Sequence, residues 1–201
     1  KNLIKNWKLY CIIDPSVVKG GNPATTVDFL FKNGAKIVQL RYKQEPAYAI
    51  VPMAKKIVQL AKKYNKTVII NDRLDVALAS RASGVHLGSG DMSIQRAKAL
   101  LGSSYIIGKT VHSINEAKIA AKEKPDYIGV GPIFATPIKK NLKPKGVAFI
   151  GKTKRASGLP TFAIGGINRK NCGKIARSSA DGVCVTRAIF SVCDLLEELK
   201  K

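Results

Sequence analysis

The residues best suited to chemistry lie between Val68 and Asp91. Asn71 and Asp72 follow a short apolar run, Thr67-Val68-Ile69-Ile70. Asp91 follows a second run, Gly84-Val85-His86-Leu87, after Gly88-Ser89-Gly90. Each run reads as a buried strand with polar residues at its C-terminal end. If the two strands are parallel neighbours, both carboxylates emerge on one rim of the sheet with Asn71 beside them. Such hard oxygen ligands suit Mg²⁺. The competing reading is that Asp72 and Asp91 cap helix N-termini, where Asp is favoured.

A second cluster of polar residues sits where a strand would ordinarily be apolar. In Lys36 to Lys43, the residues Gln39, Arg41 and Lys43 alternate onto one face, as side chains of a strand do. Three polar residues on one strand face make sense if that face looks into a polar site. Salt-bridged barrel residues are the alternative for Arg41 and Lys43. Further along, apolar runs end in Thr110 and His112, in a Lys- and Pro-rich loop carrying Thr136 and Lys139, in Gly165-Gly166, and in Thr186-Arg187. A Gly-Gly turn lets backbone N–H groups approach a phosphate at a helix start. Cations, two carboxylates, hydroxyls and exposed amides together suit a phosphorylated substrate with a metal. Lys139 also reads as one of many surface lysines, and His112 as a hydrogen-bonded structural histidine.

These residues must be positioned by the elements around them. Apolar runs at 9–14, 36–43, 67–70, 84–87, 105–112, 127–131, 161–164 and 182–185 read as strands. Segments with helical spacing follow at 25–33, 46–64, 73–81, 94–101, 115–122, 147–156, 169–178 and 192–200. Gly34 fits a helix C-cap. Strand–helix units of about 20 to 30 residues are parallel crossover units. No linker divides them, so residues 1–201 are expected to form a single-domain α/β fold, the (β/α)8 TIM barrel. A doubly wound open sheet is the rival. The barrel puts every strand end named above on one catalytic face, with a phosphate site after strands seven and eight.

The chain has 201 residues, enough for one domain with a sizeable core. No apolar run approaches the ~20 residues of a membrane span. The N-terminal segment Lys1 to Lys8 is too short and polar for a signal peptide. The four cysteines, Cys11, Cys172, Cys184 and Cys193, lack metal-binding spacing. They read as reduced thiols of a cytoplasmic protein. The net charge of +22 suits steering of anionic substrates. The lysines are scattered along the helices, and no RNA-binding motif is visible. No specific nucleic-acid partner and no membrane partner are expected, and a homo-oligomer is left open.

Taken together, the segments Leu9-Tyr10-Cys11-Ile12-Ile13-Asp14, Val38 to Lys43, Ile70-Asn71-Asp72-Arg73, Gly84 to Gly88 with Asp91, Gly129 to Thr136, Ala163 to Ile167 and Asp181-Gly182-Val183 resemble the thiamine phosphate synthase family in order and spacing. The resemblance runs nearly end to end. It implies a (β/α)8 barrel, a transferase that joins a hydroxymethylpyrimidine diphosphate to a thiazole phosphate, and a Mg²⁺ cofactor. It implies that Gln39, Arg41, Lys43, Asn71, Thr110 and Lys139 hold the pyrimidine diphosphate, with Arg41, Lys43 and Lys139 catalytic. Asp72 and Asp91 would hold the metal. Thr136, Ile138, Gly165, Gly166, Thr186 and Arg187 would meet the thiazole phosphate.

The chain departs from the family pattern at three positions, one of them Thr110 for a common Ser, which preserves the hydroxyl. Ile138 stands where the family usually has a hydroxyl residue, and Arg187 where it usually has Ser. These last two fall on the thiazole-phosphate side, so the diphosphate half matches better than the acceptor half. The alternative reading is a thiazole tautomerase-like paralogue, which would use His112 for proton transfer. A non-catalytic phosphate-ligand or RNA-binding protein is a third.

Overall fold

The structure is a computed structural model that describes residues 4–17, 21–139 and 142–200. Eight strands, β1 (Leu9–Ile13), β2 (Ile37–Leu40), β3 (Thr67–Asn71), β4 (Gly84–Leu87), β5 (Ile106–Val111), β6 (Tyr127–Val130), β7 (Thr161–Ile164) and β8 (Gly182–Val185), run parallel. The last pairs with the first, with Tyr10 opposite Cys184, and the sheet closes. The helices are α1 (Pro23–Lys32), α2 (Ala47–Tyr64), α3 (Leu74–Ser80), α4 (Ile94–Leu101), α5 (Ile114–Glu123), α6 (Ala148–Ser157), α7 (Cys172–Ala176) and α8 (Val192–Glu198). The expected (β/α)8 barrel is therefore present, and the open sheet is excluded by closure of β8 on β1. No helix among the described residues is long and apolar enough to cross a membrane.

Period-two alternation sorts the strand residues between two cores. Leu9, Cys11 and Ile13 of β1 face outward with Val38, Leu40, Val68 and Ile70, and pack against apolar stripes of the helices. Tyr10, Ile12, Ile37, Ile69, Tyr127, Phe162 and Cys184 face inward and meet Trp7, which enters below β1. The rings of Trp7, Tyr10, Tyr127 and Phe162 lie 5.5 to 6.2 Å apart, mostly edge-on or tilted. They plug the N-terminal half of the barrel. Each such pair adds about 0.5–1.5 kcal/mol beyond area burial. Lys109 is directed away from this interior and pairs with Glu123 of α5.

Several element ends differ from the sequence reading for identifiable reasons. β2 stops at Leu40 because its partner β1 ends at Ile13, the last matched residue. Only the Arg41 N–H extends the ladder, donating to the Ile13 carbonyl at 2.9 Å. Arg41 and Lys43 thus belong to the loop after β2, and of the three polar residues Gln39 alone lies in the strand. The helix expected over 169–178 begins at Cys172 instead. Asn168 and Asn171 use their side-chain oxygens to accept the N–H of Lys170 and of Asn168, both at 2.9 Å. These local turns compete with helix. Gly34 sits one residue past the C-cap Asn33 of α1, with φ of +94°.

Gly108, inward on β5, is where the plug meets the layer above. A methyl group there would stand 2.2 Å from Cζ of Tyr127 and 2.6 Å from Nδ1 of His86. Those two rings stack at 5.5 Å over the missing side chain. Overpacking at such a site costs about 1–3 kcal/mol. Gly108→Ala is expected to lower stability by that amount, read as a reduced midpoint in urea unfolding with the slope unchanged. An unchanged midpoint would mean that the stack has room to move.

Candidate active site

Above the aromatic plug, the C-terminal strand ends open onto a cavity of about 510 Å³, within the ~300–1,000 Å³ range of small-molecule sites. Gln39, Arg41, Lys43, Asn71, Asp72, Asp91, Thr110 and His112 line one side. Thr136, Ile138, Gly165, Gly166, Thr186 and Arg187 line the other. Every candidate site residue from the sequence reading meets here except Lys139. That residue ends a 3-10 turn after β6, and its side chain lies outside the described residues.

The two carboxylates are not helix caps. Arg73 precedes α3 and Ser93 caps α4. Asp72 sits just past β3 with φ of +61°, and its N–H donates to the His86 carbonyl at 2.9 Å. A non-glycine residue in this region stores strain of order 1–3 kcal/mol, and such residues cluster at functional sites. Lys43 Nζ lies 3.0 Å from Asp72 Oδ2, and the Gly88 N–H donates to Asp91 Oδ2 at 2.6 Å. Partial desolvation pushes the Asp91 carboxyl up from its ordinary value, and its contact with Asp72 adds to the rise. The Gly88 N–H and Lys43 oppose it. Two carboxylates this close repel unless a proton or a cation lies between them.

This donor set fits Mg²⁺. The ligands are hard oxygens, and no cluster of three or more His, Cys, Asp or Glu surrounds them among the described residues. Mg²⁺ commonly takes one or two carboxylates and completes its shell with water and substrate phosphate. Beside the pair, Asn71 is 6% exposed and its Nδ2 has no hydrogen-bond partner. A buried, unmet donor costs about 1–3 kcal/mol, which points to an acceptor on a ligand.

Arg41 depends on a residue to which the sequence reading gave no role. Asp14, 3% exposed at the end of β1, forms an ion pair with its guanidinium. Asp14 also accepts from the N–H of Ser16 at 3.1 Å and from its hydroxyl at 2.5 Å. The guanidinium is thereby fixed at the cavity wall. An Asp at the C-terminal end of the neighbouring strand was the available signal. Arg41 and Lys43 are thus ion-paired, as the alternative reading had it, and also line the cavity.

On the opposite side, the loops after β6 and β7 lock together. Ile133 and Phe134 donate their N–H groups to the carbonyls of Ile164 and Gly165 at 2.9 and 3.0 Å. Gly165 and Gly166 have φ of +100° and +65°, and any side chain would collide with Pro132 or Ala135. Because α7 starts only at Cys172, this turn is not a helix start, which corrects the expectation of a phosphate on a helix N-terminus. The backbone N–H groups of Gly166 and Ile167 nonetheless donate to nothing among the described residues. Arg187 is exposed and has no ion pair among the described residues. Ile138 is 36% exposed and puts an apolar wall beside Thr136.

No side chain lining the cavity is set up as a nucleophile among the described residues. Burial pushes the Cys11 thiol up to about 12 and holds Cys184, on the cavity floor, higher still. His112 Nδ1 lies 2.5 Å from the Gly131 carbonyl, an acceptor only, so Nδ1 carries the proton. The His112 backbone N–H donates to Glu116 Oε2 at 2.8 Å, and the Glu116 N–H donates to the hydroxyl of Ser113, the N-cap of α5. His112 is hydrogen-bonded into the fold while still facing the cavity.

Known proteins place this arrangement. The family model described as thiamine monophosphate synthase matches residues 9–189. A thiamine-phosphate synthase of Caldanaerobacter subterraneus subsp. tengcongensis is 37% identical over 203 aligned positions, covering 98% of this chain and 95% of the relative. One from Clostridium novyi is 38% identical and covers 94% of each chain. The solved structure of a thiamine phosphate pyrophosphorylase from Pyrococcus furiosus superimposes with a TM-score of 0.89 at 32% identity, over 99% of this chain and 98% of that one. With its closed barrel and its rim of carboxylates, cations and Gly-Gly turn, the chain belongs to the thiamine monophosphate synthase family.

Proposed function

We propose that this cavity joins a hydroxymethylpyrimidine diphosphate to a thiazole phosphate, yielding thiamine phosphate and pyrophosphate, with Mg²⁺ held by Asp72 and Asp91. The observation that carries this reading is the division of one cavity into two anion-binding ends. One end has Arg41, Lys43, the unmet Asn71 donor and the two carboxylates. The other has Thr136, the Gly166 and Ile167 N–H groups, Thr186 and Arg187. A substrate with two phosphates at one end and a substrate with one phosphate at the other would meet at the centre. The +22 charge supports steering of both anions, and the partners are small phosphorylated molecules in the cytoplasm.

The chemistry asks little covalent work of the protein. The bond between the pyrimidine methylene carbon and the diphosphate oxygen breaks, and its electron pair leaves with pyrophosphate. The thiazole nitrogen then supplies the pair for the new C–N bond to the pyrimidine-methyl cation. No proton moves and no enzyme nucleophile is required, in keeping with the protonated Cys11 and Cys184. Mg²⁺ when bound neutralises charge on the diphosphate oxygens. Arg41, locked by Asp14, Lys43 and Lys139 stabilise the charge that grows on the leaving group. Gln39 and Thr110 orient the pyrimidine ring, and the opposite rim holds the thiazole so that its nitrogen faces the methylene carbon. In place of the hydroxyl residues usual in the family, Ile138 offers apolar contact and Arg187 a charged fork for the acceptor phosphate.

Two sets of variants test these assignments in a coupling assay. Asp72→Ala and Asp91→Ala should each lower Mg²⁺-dependent turnover by about 100-fold or more, the scale of losing one charge-stabilising group. Full activity in either would remove the metal assignment. Arg187→Ser should raise the KM for thiazole phosphate by about tenfold, as loss of a charge-assisted hydrogen bond does, and leave that for the diphosphate near its original value. An equal rise in both would sink the acceptor-side placement.

A further inference from the structure

A continuous hydrogen-bonded chain crosses the barrel interior beneath the cavity. Gln39 Nε2 donates to the Tyr10 hydroxyl at 2.9 Å. The Tyr10 and Tyr127 hydroxyls are 2.9 Å apart. The Tyr127 hydroxyl is 3.1 Å from His86 Nδ1, and His86 Nε2 is 2.9 Å from Thr110 Oγ1. Tyr127 and Tyr10 are fully buried, 0% and 1% exposed. Burial raises both phenols far above their ordinary value, so each keeps its single proton. A buried phenol donates once. The chain therefore has one direction throughout.

Gln39 sets that direction. Its amide N–H fills the acceptor side of Tyr10, so Tyr10 donates to Tyr127 and Tyr127 donates to His86 Nδ1. The His86 proton then sits on Nε2 and is donated to Thr110 Oγ1. At the far end Thr110, which accepts from His86, is left with its own hydroxyl hydrogen to donate, and Thr110 lines the cavity. At the near end the Gln39 carbonyl oxygen makes no hydrogen bond among the described residues, and Gln39 lines the cavity. Reversing one link alone would leave a buried phenol proton without an acceptor, so the links reverse together. The two ends are consequently always opposite in kind, one accepting and one donating.

We propose that Tyr127 is a positioning residue: through Tyr10 and His86 it fixes the Gln39 amide and the Thr110 hydroxyl, so that the cavity offers an acceptor at β2 and a donor at β5 to a flat heteroaromatic ring such as an aminopyrimidine. An amino group on the ring would donate to Gln39, and a ring nitrogen would accept from Thr110. Gly108 and Gly129 leave the space in which His86 lies over Tyr127 at 5.5 Å. The ring orientation that the chain requires is thus set by packing as well as by hydrogen bonds. The selection falls on the ring rather than on its phosphates, which meet the charged rim. The inference rests on the reading of this cavity as the seat of the pyrimidine substrate.

The histidines allow a direct test, because the chain has only two. Nitrogen-15 NMR of the substrate-free protein should show one histidine protonated on Nε2, His86, and one on Nδ1, His112, with His112→Gln used for assignment. A His86 proton on Nδ1 would overturn the proposal. In coupling kinetics, Tyr10→Phe and Tyr127→Phe should each raise the KM for the pyrimidine diphosphate by about tenfold, the effect of one lost hydrogen bond, and leave the KM for thiazole phosphate unchanged. The double variant should be no worse than either single one, since both cut the same chain. Additive losses, or equal effects on both substrates, would reduce the tyrosines to packing. If the variants do not fold, the tautomers of the unaltered protein still decide. Absence of coupling in the unaltered protein would overturn the functional reading without moving the tautomers.

Discussion

The interior of an eight-stranded parallel barrel is a fixed volume, and how its inward side chains fill that volume governs everything above it. Here the lower half is taken by Trp7, Tyr10, Tyr127 and Phe162. Above it, Gly108 and Gly129 make room for the His86 ring, and Gly129 and Gly131 line the cavity. The large rings give the barrel a packed floor, and the glycines let His86 lie over it beneath the cavity. Because strands alternate inward and outward, the outward residues of the same segments build the second core against the helices. The site is therefore supported from below and from outside by packing that a one-residue register slip would destroy.

On that scaffold the charges are arranged in compensated groups. Asp14 neutralises Arg41, and Lys43 reaches Asp72, which in turn touches Asp91. Such pairing keeps like charges tolerable in a partly desolvated cavity and holds cations where an anion can share them. Electrostatic preorganisation is the form of catalysis that these residues can supply, and it matches a reaction whose main demand is a departing pyrophosphate. The interior chain from Gln39 to Thr110 is uncharged, and its proposed part is orientation. Position and polarity are thus divided between the floor and the rim.

Much of this was legible in the sequence. The apolar runs, each followed by helical spacing, specified a barrel, and the polar residues at strand ends then fell on one face. The sequence reading failed where backbone geometry or a distant partner decides the outcome. β2 was read through Lys43, because alternation of Gln39, Arg41 and Lys43 continues past the point where β1 can pair. The helix after Gly166 was started too early, because asparagine side chains at 168 and 171 hold the backbone in turns. Asp72 in a left-handed conformation carries no sequence signature. Asp14, Tyr10, Tyr127 and His86 look like ordinary strand residues one at a time. Their roles appear only when closure of the barrel brings β1, β4 and β6 around one axis.

The most direct measurement is formation of thiamine phosphate from the two purified substrates by the unaltered protein, with Mg²⁺ and then with an excess of chelator. The account predicts stoichiometric thiamine phosphate and pyrophosphate with the metal, and loss of both products with the chelator. Product that persists undiminished in chelator would contradict the role given to Asp72 and Asp91. No product under either condition, with both substrates bound, would contradict the coupling reaction itself.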